Sequence, residues 1–123
     1  KLQECQDVVL PQLQEKARVS GLPEDAPFLA LHIHEGGGCQ GRGFPNTGGH
    51  YDNRQRPHPR HQGDLPPLLN AGGRAYLSVL TDRFTLPEII GRTLVIHSGA
   101  DDFRSQPAGS AGAKLACGVI RCL

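Results

Sequence analysis

Tryptophan and methionine are absent, and two tyrosines and four phenylalanines are all the aromatic side chains in 123 residues. With hydrophobic content this modest, the chain can build a core but has no apolar surface to spare. No run approaches the roughly 20 apolar residues of a membrane span, and residues 1–15 lack the apolar centre of a signal peptide, so the expectation is a soluble, already processed chain. The formal net charge is +1, with no block of like charge and no basic stripe. Nucleic acid and anionic membrane surfaces are therefore not expected as partners. No CxxC pair occurs among Cys5, Cys39, Cys117 and Cys122, which argues against a zinc knuckle or a thioredoxin-type redox pair.

Glycine and proline, by contrast, are plentiful. Sixteen Gly and ten Pro, spread without a repeat period, punctuate the chain into short segments, which suits an all-β sandwich or barrel better than a helical bundle. The length fits one domain over residues 1–123. An even number of cysteines in a small, turn-rich chain favours disulfides, and disulfides persist in oxidising compartments. The protein is accordingly expected outside the cytoplasm, in a periplasm, on a cell surface or secreted.

Residues 28–39, FLALHIHEGGGC, organise the rest. Strand alternation puts His32 and His34 on one face while Leu29, Leu31 and Ile33 point the other way. Same-face neighbours on a strand lie about 6.5–7 Å apart, so two leaning imidazoles can grip one ion. The Gly-rich stretch that follows runs to Leu65, and a structureless connection of that length in a small domain needs a fastening, either metal ligation or a disulfide. Further strands are expected over residues 75–81, 92–97 and 115–123, with one helical turn where Thr85 and Glu88 have capping-box spacing. Two short strands fit residues 1–20, around residues 8–10 and 13–19, separated by Pro11. A second loop spans residues 101–114.

All six histidines fall at strand ends or in these loops: His32, His34, His50, His58, His61 and His97. A lone histidine is usually a surface or core residue, but six so placed point to metal. His58, His61 and Asp64 lie within seven residues and, with His50, make a four-ligand set of the kind zinc takes. His32, His34 and His97 lie on strand segments that can converge on a second ion, and an all-imidazole site suits copper. Two sites need seven or eight ligands, and only six histidines and Asp64 are at hand. One imidazole must then serve both ions through its two ring nitrogens, and His50 is the candidate.

At these residues the chain resembles the copper-zinc superoxide dismutases, bacterial members above all. The matching motifs are HIH at residues 32–34, GGHY around His50, HQGDL from His61, GRTLVIH ending at His97, DD at Asp101 and Asp102, and GSAGAKLACGVI near the C-terminus. The resemblance implies an all-β, Greek-key flattened barrel or immunoglobulin-like sandwich with two long functional loops, its N-terminal strands reduced. It implies copper on His32, His34, His50 and His97, and zinc on His50, His58, His61 and Asp64. It also implies a Cys39–Cys117 disulfide, and an Asp101 carboxylate that orients His32 and His58. The implied activity turns two superoxide anions and two protons into dioxygen and hydrogen peroxide by copper redox cycling, with His50 bridging the metals and carrying a proton.

The chain also departs from the family pattern. Lys114 stands where most members place an arginine, keeping the charge that guides a small anion but losing the planar fork. Arg104 is a second candidate cation. Residues 1–27 leave room for two leading strands rather than three, so an uncovered edge makes a homodimer or a non-standard oligomer an expectation. A Cys5–Cys122 disulfide would offset a short first sheet. The competing reading is a non-catalytic copper or zinc binder, such as a metallochaperone-like domain on the same fold; the complete histidine set weighs against it. A helical di-metal hydrolase would need carboxylate-rich bridging that the sequence lacks.

Overall fold

The computed structural model describes residues 13–121. Seven strands, one 3-10 turn (Pro45–Thr47) and one α-helical turn occur among them: β1 (Leu13–Val19), β2 (Phe28–Leu29), β3 (Leu31–His34), β4 (Leu68–Leu69), β5 (Ala75–Thr81), α1 (Leu86–Ile89), β6 (Thr93–His97) and β7 (Lys114–Val119). Every pairing is antiparallel. β1 runs along the whole of β5, β2 pairs with β4, and β3, β6 and β7 form a three-stranded sheet in the order β3-β6-β7. The sheets do not close into a barrel among the described residues. Of the two expected N-terminal strands, residues 13–19 form β1; residues 8–10 and the Cys5–Cys122 pairing lie outside the described residues.

The core lies between the sheets and is aliphatic, as a chain so poor in aromatics requires. Leu29, Leu31, Ile33, Leu68 and Ile89 are fully buried there, joined by Phe84. No helix among the described residues is long and apolar enough to cross a membrane.

The expected single strand over residues 28–34 is two strands. It breaks at Ala30, where the chain changes partners: residues 28 and 29 pair with β4, residues 31–34 with β6. Ala30 is itself held between Gly99 and His97, donating to the Gly99 carbonyl and accepting from the His97 amide, each at 2.9 Å. Alternation also predicts one buried and one exposed face, yet all four residues of β3 are buried. The reason is the long loop, which folds back over the histidine face.

That loop is fastened by backbone pairing. Tyr51 donates to the Ile33 carbonyl at 2.7 Å, Ile33 donates to Gly63 at 2.8 Å, and Gly63 donates to Tyr51 at 2.9 Å. So tight an approach explains the glycines: a Cβ on Gly63 would run into the Ile33 carbonyl, and one on Gly36 into that of Asn46. The Cys39–Cys117 disulfide ties the start of the loop to β7. At its far side the expected helical turn forms as α1, with the Thr85 amide donating to Glu88 Oε1 at 2.6 Å in a capping box. Glu88 Oε2 in turn accepts from the Tyr51 hydroxyl at 2.6 Å, which anchors the loop to α1.

Candidate metal centre

The register of the three-stranded sheet begins the site. His34 sits opposite Thr93 and His32 opposite Val95, so β6 delivers His97 just past the other end of β3. The loop adds His50, bridged to His34, and Asp64, bridged to His32. A register shift between Ile96 and His97 sets His97 opposite Lys114, with Leu115 as the extra residue on β7. A bulge at this place turns the Lys114 side chain toward the histidines.

Two groups result. Ligand atoms of His32, His34, His50 and His97 lie within 4.8 Å of one another, as do those of His32, His50, His58 and Asp64. His61 joins the second group, its Nδ1 3.0 Å from Asp64 Oδ2. His32, His34, His58 and His97 are all but inaccessible to solvent.

Hydrogen bonding fixes which nitrogen of each ring is free. A carbonyl or carboxylate oxygen can only accept, so the ring nitrogen facing it must carry the proton, and in a neutral imidazole the other nitrogen is then a bare lone pair. His34 Nδ1 donates to the Gly48 carbonyl at 2.8 Å and His97 Nδ1 to that of Gly112 at 3.2 Å, leaving Nε2 free on both. His32 Nε2 and His58 Nε2 donate to Asp101 Oδ2 and Oδ1 at 2.8 and 2.7 Å, leaving Nδ1 free. Two of those freed atoms point at each other. His34 Nε2 and His97 Nε2 face across 3.3 Å, a contact between lone pairs that only a shared proton or a cation relieves.

Four buried ring nitrogens have no hydrogen-bond partner at all: His32 Nδ1, His50 Nε2, His58 Nδ1 and His61 Nδ1. Two of them, on His58 and His61, lie 3.1 and 3.0 Å from Asp64 Oδ2 without the angle a hydrogen bond needs. Side-by-side approach of this kind is what ligands of one ion show. Buried polar atoms are nearly always satisfied, so four orphans in one place fit cations of the sort imidazole binds.

Charge states agree with this. Burial lowers the pKa of His32 to about 4 and that of His34 to about 3, and it lowers that of His97 as well, so all three rings are neutral and ready to coordinate at neutral pH. Burial raises the Asp101 and Asp64 carboxyls, but hydrogen bonds from His58 and His32 to Asp101, and from His50 to Asp64, outweigh it; both remain ionised. His50 Nδ1 is 2.7 Å from Asp64 Oδ1 and its Nε2 is buried without a hydrogen-bond partner; His50, like His32, belongs to both groups.

The comparisons with known proteins bear on this donor set. A family model described as Copper/zinc superoxide dismutase (SODC) matches residues 3–120. The chain belongs to the copper/zinc superoxide dismutase family. Among its relatives, Superoxide dismutase [Cu-Zn] 2 of Aquifex aeolicus is 40% identical over 121 residues, covering 86% of this chain and 70% of that protein. Superoxide dismutase [Cu-Zn] of Deinococcus radiodurans is 36% identical over 126 residues, covering 85% and 68%. The solved structure of Cu/Zn superoxide dismutase from Brucella abortus superposes with a TM-score of 0.77 at 32% identity, covering 92% of this chain and 83% of that one. The metals of the family are copper and zinc, and its fold is the antiparallel β-sandwich seen here.

In this superoxide dismutase chain a cavity reaches the edge of the buried imidazole cluster. His34, His50, His61 and His97 line a cavity of about 530 Å³ together with Lys114. The Lys114 ammonium donates to Thr47 Oγ1 at 2.6 Å and to the Gly48 carbonyl at 3.2 Å, the carbonyl that also holds His34. Arg104, the second expected cation, is exposed and does not line this cavity.

Two residues that hold the site carry no sequence signal. Gln106 clips one loop to the other: its Oε1 accepts from the His58 amide at 2.9 Å and its Nε2 donates to the His58 carbonyl at 2.7 Å. Thr47, fully buried, seats Lys114. Both contacts span more than 45 residues of sequence, and neither residue type announces such a role.

Proposed function

We propose that this chain is a superoxide dismutase in which His32, His34, His50 and His97 hold copper, and His50, His58, His61 and Asp64 hold zinc. The observation that carries the reading is the sorting of ring nitrogens: on His32, His34, His58 and His97 one nitrogen is occupied by an oxygen acceptor and the other is left bare, in rings that cluster into two ligand groups. Copper, when bound, supplies the one-electron couple by which one superoxide becomes dioxygen and the next, with two protons, becomes hydrogen peroxide; zinc supplies a fixed positive charge.

The chain's own residues do the rest. Asp101 locks the tautomers of His32 and His58, so that both rings present Nδ1 without rearrangement. His50 stands in both ligand groups and its ring lines the cavity, where it can hold a proton and yield it to the reduced substrate. Lys114 places one positive charge on the cavity wall, which attracts a small anion and raises the encounter rate. Because Thr47 and Gly48 take up its donors, the charge stays fixed there.

An extracytoplasmic location goes with this reading, since the Cys39–Cys117 disulfide is of a kind that lasts in oxidising compartments. The test is to load the purified protein with both metals and follow superoxide decay for the wild type and His97→Ala. Rapid decay by the wild type with about one copper and one zinc per chain, lost in the variant, is expected. Two metals bound without dismutation would leave a metal-binding protein and overturn the enzyme reading.

A further inference from the structure

The turn between β5 and α1 meets the zinc-side ligands from behind, and one arginine there makes an unusual set of contacts. Arg83 Nη1 donates to the carbonyl of Pro59 at 3.0 Å and to those of His61 and Asp64 at 3.2 Å each. The grip is returned: Gln62, which lies between those ligands and is buried, donates through Nε2 to the Arg83 carbonyl at 3.0 Å and to Glu88 Oε2 at 3.2 Å. Gln62 Oε1 also accepts from the Asn53 amide at 2.9 Å. The root of Arg83 is fixed in turn by its amide, which donates to Thr81 Oγ1 at 3.1 Å, and by its buried neighbour Phe84. Among the described residues no carboxylate lies within ion-pair distance of the guanidinium, so its charge is spent on loop carbonyls.

We propose that Arg83 is a positioning residue for zinc, clamping the carbonyls of Pro59, His61 and Asp64 so that His61 and Asp64 face the centre before any metal arrives. The inference rests on the assignment of the zinc ligands above. Its logic is geometric. Residues 58–64 supply three ligands, and a loop free to move would have to lose its conformational freedom when zinc binds, which opposes binding. A loop already held through its backbone has lost that freedom on folding.

The sign of the effect separates this role from mere proximity. A guanidinium close to a dication repels it, so deleting a bystander charge would tighten zinc binding. Deleting a clamp would loosen it.

The experiment uses the full chain stripped of metal, zinc ion as the probe, and competition against a chromophoric chelator, in wild type, Arg83→Met and Arg83→Lys. Cobalt(II) absorption in the same site reads the ligand geometry directly. Loss of a group that orients metal ligands typically weakens binding about 10–100-fold, and that loss is expected for Arg83→Met along with altered cobalt bands. Lysine brings one nitrogen to a place where Nη1 alone makes all three contacts, but its stem is shorter, so Arg83→Lys is expected to recover part of the affinity and not all. Unchanged or tighter zinc binding by folded Arg83→Met overturns the proposal. Should the methionine variant fail to fold, wild-type affinity and wild-type cobalt bands in Arg83→Lys overturn it instead. Failure of the wild type itself to bind zinc tightly removes the ligand assignment, and this inference with it.

Discussion

Replacing Asp101 by asparagine tests how the two ligand groups are held together. The carboxylate receives three hydrogen bonds: Oδ1 accepts from His58 Nε2 at 2.7 Å and from the Phe103 amide at 2.8 Å, and Oδ2 accepts from His32 Nε2 at 2.8 Å. Asparagine offers one oxygen and one NH₂. The oxygen satisfies more donors in the Oδ1 position, which puts the NH₂ against the N–H of His32. That ring must then give up its bond or move its proton to Nδ1, the atom left bare in this structure. A hydrogen bond to a charged acceptor is worth about 1.5–3 kcal/mol, equivalent to roughly a 10–150-fold change in an equilibrium constant. Copper affinity should therefore fall by about one to two orders of magnitude in Asp101→Asn, and zinc affinity by less, since His58 keeps an acceptor. Chelator competition for each metal separately, with circular dichroism to check the fold, measures both. Equal retention of the two metals, or a larger loss of zinc than of copper, would refute the reasoning.

Two further outcomes follow from the same structure. Cys39 and Cys117 are 78 residues apart in sequence, and chain entropy for a loop of that size corresponds to about 4–5 kcal/mol; the double serine variant, unfolded in urea without metal, should lose stability on that scale, and a loss under about 1 kcal/mol would contradict it. The metal-free protein should also weaken in acid. Burial holds the folded pKa of His32 at about 4 and that of His34 at about 3, against 6.5 for the free side chain, so between those limits the unfolded chain binds more protons. Stability is then complete above about pH 6.5 and falls as pH drops, by about 1.4 kcal/mol per pH unit for each ring. Asp64 and Asp101, with folded pKa values lowered from 3.8, add a loss in the same direction at lower pH. A urea midpoint that holds or rises from pH 7 to pH 4.5 would run against this.

The cluster of candidate ligands was legible in the sequence because coordination demands rare residue types, and because strand alternation places His32 and His34 together without any knowledge of the fold. The membership of His50 in both ligand groups could be reached by counting ligands, and the α1 turn by the spacing of Thr85 and Glu88. Contacts set by tertiary packing were not legible. Nothing local in the sequence tells that Gln106 meets the backbone of His58, that Thr47 meets Lys114, or that Arg83 reaches three carbonyls some 20 residues back. The break at Ala30 escaped for a related reason: both halves of residues 28–34 are good strand sequence, and only the positions of β4 and β6 decide that they belong to different sheets. The burial of the histidine face was hidden too, because the loop covering it reads as solvent-exposed by composition.

The most direct test of the account is superoxide decay measured while copper is titrated into zinc-loaded wild-type protein. The predicted result is a rate that rises in proportion to copper, reaches about 10⁸–10⁹ per molar per second at a diffusion-limited ceiling, and saturates at one copper per chain. A rate that stays at the spontaneous background when every chain holds copper would contradict it.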